Sequence, residues 1–102
     1  MCTYITERLA AWGSAKGGDR WFRLSDATVY FDHPQDAPLE HSLNIDFLDL
    51  KEGPSRVAVE LEPQTAMELA KRIVAVLAAL PDGMSEQTDS ARQVLAAWAD
   101  GA

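Results

Sequence analysis

The sequence predicts an α+β fold: an antiparallel meander of about four strands, then an amphipathic helix packed on one sheet face, then a C-terminal helix. Three observations carry this. Apolar residues alternate with period two through residues 27–33, 41–48 and 56–61. Turn-forming clusters of Gly, Pro, Asp and Ser separate these runs. After Pro63 the apolar spacing changes to that of a helix.

Residues 3–12 are rich in β-branched and aromatic side chains and stop at Gly13, which reads as a first strand. Residues 13–19 contain three glycines and read as a hairpin loop. Extended structure resumes at residues 21–24, with a kink or bulge at Ser25-Asp26. Residues 27–33 place Val29, Phe31 and His33 on one face, and Thr28, Tyr30 and Asp32 on the other. A connector with two prolines, residues 34–40, leads to residues 41–48. There His41, Leu43, Ile45 and Phe47 share a face, while Ser42, Asn44 and Asp46 share the opposite one. Residues 51–55 are turn chemistry, with Gly and Pro adjacent. Val57, Val59 and Leu61 then point one way, and Arg56, Ala58 and Glu60 the other.

Pro63 suits the first turn of a helix, where its missing N–H would have been unpaired anyway. Ala66, Leu69, Ala70, Ile73, Val76, Leu77 and Leu80 form one stripe, expected to cover the apolar sheet face. Pro81, Asp82 and Gly83 stop that helix, and a second runs from about residue 85 to 99 with a weaker stripe. Residues 1–82 therefore read as a single α+β domain and residues 83–102 as a C-terminal helical extension.

Composition narrows the function. The 102 residues are 47% hydrophobic and 25% charged, which suits one globular domain. Nine basic residues stand against 16 acidic ones, for a net charge of −7 with no basic run, so nucleic acid and anionic membranes are not expected partners. No apolar run approaches the roughly 20 residues of a membrane span. The first residues lack the order of a signal peptide, so a cytoplasmic protein is expected. Cys2 is the sole cysteine, which excludes an internal disulfide and a CxxC knuckle.

The main candidate site follows from strand pairing. If residues 27–33 and 41–48 pair symmetrically across the connector, the two histidines of the chain, His33 and His41, become cross-strand neighbours. Directly opposed Cβ atoms lie about 5 Å apart, so two imidazoles can share a proton or a divalent metal such as Zn. The bland alternative is a half-exposed pair capping the apolar face. Cys2 is a further catalytic candidate, as an N-terminal nucleophile or a third ligand, against the reading of a packed thiol. The same register sets Asp32 against Ser42, Tyr30 against Asn44 and Thr28 against Asp46. Tyr30 and Asn44 can orient a polar ligand, with Asp46 and Asp32 as flanking carboxylates that otherwise read as hydrated surface groups. The polar face is not expected to form a second core. The GSAKGG segment at 13–18 lacks the order and the following helix of a phosphate-binding Walker loop. Trp12, Trp21 and Trp98 read as core or interface anchors.

The segments MCTYITE at 1–7, GSAKG at 13–17, VYFDHP at 29–34 and HSLNIDF at 41–47 resemble an uncharacterised family of short actinobacterial proteins, over about residues 1–80. The resemblance implies a small bacterial cytoplasmic protein, an accessory to specialised metabolism, and it brings no catalytic assignment. The expected function is binding of a small molecule or metal at the His33/His41 end of the sheet, with or without catalysis. The alternative is a non-catalytic homodimer or partner-binding module.

Overall fold

The computed structural model describes residues 5–51 and 55–101. The chain forms two compact units, Met1–Pro63 and Gln64–Ala102.

The first unit contains all the strands. β1 (Ile5–Ala10), β4 (Asp26–Asp32), β5 (Ser42–Leu48) and β6 (Arg56–Leu61) make an antiparallel sheet in the order β1-β4-β5-β6. β2 (Ser14–Gly17) and β3 (Arg20–Arg23) pair only with each other. The four-stranded meander is thus as expected, but residues 13–19 are not simply a loop. Glycine content concealed a short strand, whose turn is confined to Gly18 and Asp19. Gly18 takes φ 63° while Asp19 stays at negative φ, the pattern of a two-residue hairpin turn that favours glycine at its first position. Gly17 permits a close approach as well. A Cβ there would sit 3.5 Å from the carbonyl oxygen of Arg56 and 3.7 Å from Val57, where the hairpin lies against β6.

Ser25 makes the kink between β3 and β4. Its amide donates to the carbonyl of Leu48, its carbonyl accepts from Ala11, and its hydroxyl oxygen accepts from the amide of Leu50. The backbone groups released by the break are thereby paired again.

The β4–β5 register is the symmetric one: Phe31 opposes Leu43, Val29 opposes Ile45, Asp32 opposes Ser42, Tyr30 opposes Asn44, and Thr28 opposes Asp46. A slip of one residue would exchange the faces, so the apolar alternation holds this register in place. On β6, Val59 opposes Ile45 and Glu60 opposes Asn44.

Burial departs from the alternation. The apolar face, with Val29, Phe31, Leu43, Ile45 and Phe47, is half-buried. On the polar face Thr28, Asp32, Ser42 and Asn44 are all buried, Ser42 completely. These residues do not make an apolar second core, and pairing accounts for their burial. Ser42 donates its hydroxyl proton to Asn44 Oδ1 at 2.6 Å, and Asp32 accepts the amide of His33 at 2.7 Å. Buried polar groups persist when each finds a partner.

The second unit holds α1 (Pro63–Ala78) and α2 (Thr88–Gly101). Pro63 opens α1, and Ala79 closes it by donating to both Ala75 and Val76. Gly83, at φ 87°, turns the chain between the helices, and Arg92 of α2 donates to the carbonyls of Ala78 and Leu80 at the C-terminal end of α1. A cation there offsets the orphan carbonyls and the negative end of the helix dipole. The position 82/83, where the sequence suggests a boundary, lies in this turn, whereas the compact units divide after Pro63. No helix among the described residues is long and apolar enough to cross a membrane.

Candidate functional site

The hairpin β4–β5 brings its candidate residues together as two groups on opposite faces. At the end of the apolar face the imidazoles of His33 and His41 stack with centroids 4.6 Å apart and planes inclined by 29°. His41 also lies 5.7 Å from the ring of Phe31. The three rings form a short ladder, which the pairing register anticipates. His33 Nδ1 lies 3.1 Å from the carbonyl oxygen of Glu40, and a carbonyl can only accept. The neutral ring therefore carries its proton on Nδ1 and keeps a lone pair on Nε2. Stacked rings send their in-plane lone pairs side by side, whereas a shared metal needs them to converge. Among the described residues no three His, Cys, Asp or Glu side chains are grouped to hold a metal ion. Cys2 lies outside the described residues.

The second group occupies the polar face. The hydroxyl of Tyr30 donates to Asp46 Oδ2 at 3.2 Å, and Arg56 Nε stands 4.0 Å from Asp46 Oδ1. Asp46 is thus 14% exposed and partnered, and Asp32 is 4% exposed. Neither is the hydrated surface carboxylate that the sequence suggests. Burial and the adjacent Asp46 carboxylate push the Tyr30 phenol above its usual range, so Tyr30 is a neutral donor at physiological pH.

Residues 34–40 fold over this face, and Glu60 holds them there. Its carboxylate accepts the backbone amides of Gln35, Asp36 and Ala37, the last two at 3.0 Å. These three donors stabilise the ionised form and lower the Glu60 pKa. Between loop and sheet lies an open cleft of about 500 Å³, lined by Tyr30, Asn44, Asp46, Arg56 and Glu60 from the sheet and by Gln35 from the loop. A second concavity of about 240 Å³ shares Tyr30, Asn44, Gln35 and Glu60 and extends to Asp32 and His33. Asn44 is 4% exposed and lines both spaces. Its oxygen is taken by Ser42, and its amide N–H₂ donates to no group among the described residues.

Tyr30, Asn44, Asp46 and Asp32 are therefore gathered as the register implied. Arg56 and Glu60 were placed on this face by alternation but not recognised as part of a site. Their contribution depends on the fold of the connector, which has no periodicity to read.

The model of a family of unknown function, DUF6295, matches residues 1–86. The chain belongs to this family. No curated protein and no solved structure matched it. The DUF6295 match spans every strand, the cleft and α1, so the whole site lies inside the family region.

Proposed function

We propose that this protein binds a small polar molecule in the cleft between the β4–β5–β6 face and residues 34–40, at the His33 end of the sheet. The observation that carries this reading is the amide of Asn44. It belongs to a residue that is almost fully buried, lines the cleft, and offers two donors that nothing described in the protein uses. The amide opens onto the cleft, where an acceptor on a bound molecule can take donors that otherwise face solvent. Asp46 and Arg56 supply an acceptor and a charged donor beside it, and Tyr30 fixes the orientation of Asp46.

Catalysis is the stronger form of the proposal. His33 lines the smaller concavity, and its imidazole, stacked on His41 at the end of the opposite face, keeps in its neutral form an Nε2 lone pair able to accept a proton. The setting proposed with it is the bacterial cytoplasm, supported by the acidic composition and the lone cysteine. An accessory role in specialised metabolism rests on the resemblance of the sequence segments alone.

A screen of small neutral and zwitterionic polar compounds by amide NMR tests the reading. Binders should move the resonances of residues 30, 35–37, 44 and 60, and Asn44→Ala should weaken them about ten-fold or more, the equivalent of one buried hydrogen bond. Binders that perturb other residues, or that tolerate Asn44→Ala, would refute it.

A second reading, a homodimer, is favoured by one observation. β1 is an edge strand exposed along its whole length, with Ile5 67% and Leu9 51% exposed. Unprotected edges pair readily with other strands. A single mass equal to the monomer in sedimentation equilibrium would remove it.

A further inference from the structure

We infer a second binding site, for a phosphorylated small molecule, where the β2–β3 hairpin meets the start of β6. Arg20 and Arg56 line a concavity of about 290 Å³ there, together with Gly17, Gly18 and Ser55. A larger adjoining concavity adds Arg23, Ser14 and Trp21. Three of the six arginines in the chain line one or both of these adjoining concavities.

The charge pattern is unusual for so acidic a protein. With 16 carboxylate residues available, clustered guanidiniums would normally be matched by acids. Among the described residues neither Arg20 nor Arg23 forms an ion pair, and Arg23 instead lies 5.8 Å from the ring of Trp12. Arg56 reaches its only described acid, Asp46, at 4.0 Å and is 55% exposed. Among the described residues the single carboxylate lining either concavity, Asp49, is 7% exposed and accepts the amide of Lys51. Like charges around a shared hollow repel one another, and a multiply charged anion between them reverses the sign of that interaction. Guanidinium forks match the oxygens of a phosphate group, and the hydroxyls of Ser14 and Ser55 add neutral donors. Trp21 and Phe22 give the body of such a molecule an aromatic surface.

This site is not a Walker loop, although it includes Gly17 and Gly18 of the GSAKGG segment. A strand rather than a helix follows those glycines, so the anion would be held by side chains and not by a helix N-terminus. It also differs from the Asn44 cleft, with which it shares only Arg56.

Calorimetric titration with inorganic diphosphate at fixed ionic strength tests the inference. The native chain and Arg72→Gln, which alters an exposed arginine on α1, should bind one equivalent saturably. Arg20→Gln should bind about ten-fold more weakly or worse, as expected for losing charged hydrogen bonds, and Arg20→Lys should fall between. Asn44→Ala should bind as the native chain does, which separates this site from the cleft. Circular dichroism of each variant confirms folding, and Arg23→Gln provides a second probe of the same group. Absence of saturable binding, or equal affinity in Arg20→Gln and the native chain, would overturn the inference.

Discussion

On one side of the β4–β5 ladder Val29, Phe31, Leu43, Ile45 and Phe47 are half-buried; on the other, Thr28, Asp32, Ser42 and Asn44 are buried. The apolar face is held by area removed from water, a term without direction that scales with burial. The polar face is held by particular partners: Ser42 with Asn44, Tyr30 with Asp46, and Glu60 with three amides of the connector. Directional partners fix atoms to fractions of an ångström, which a binding site requires. The contrast teaches that in this sheet the face with the greater precision is the one suited to recognition.

Substitutions can break this comparison. The largest effect is expected at the centre of the apolar face, where Ile45 stands between Val29 and Val59. Ile45→Asp should cost about 2–4 kcal/mol, because it places a charge among apolar neighbours without a partner. Urea unfolding followed by circular dichroism measures it. A change below the error of the fit would show that this face contributes little to stability.

A smaller and more diagnostic effect is expected for the buried pair. Ser42→Ala and Asn44→Ala should each cost about 1–2 kcal/mol, since each leaves a buried group without its partner. The double variant should cost clearly less than the sum, because it removes both groups together. Strict additivity in that cycle would mean that the 2.6 Å contact does not hold this face together.

Much of this arrangement was legible in the sequence. Alternation on residues 27–33 and 41–48 gave both faces, and the symmetric connector gave the register that stacks His33 on His41. Pro63 and the helical spacing after it gave α1. Three features were not legible, each for a physical reason. The strand Ser14–Gly17 was hidden by glycines that also permit a turn. The burial of Asp32 and Asn44 comes from local hydrogen bonds rather than hydrophobicity, so no hydropathy pattern reports it. The hold of Glu60 on the connector joins residues 23 to 25 positions apart through a side chain and backbone amides, a pairing that any sequence of the connector can make.

That hold is the central claim, because without it there is no roof over the Asn44 cleft. Its most direct test is the hydrogen exchange of the Gln35, Asp36 and Ala37 amides, measured with and without a compound bound in the cleft. Glu60 has a lowered pKa in the folded protein, so its contribution is complete above the unfolded glutamate range and is lost as pH falls through the lowered folded value. Protection of these amides should therefore be present at neutral pH, rise when the compound binds, and decline on the acid side of the ordinary glutamate range. Glu60→Gln should abolish the acid-dependent step and weaken both protection and binding. Fast exchange of the three amides in the native chain at neutral pH, or full binding in Glu60→Gln, would contradict the account.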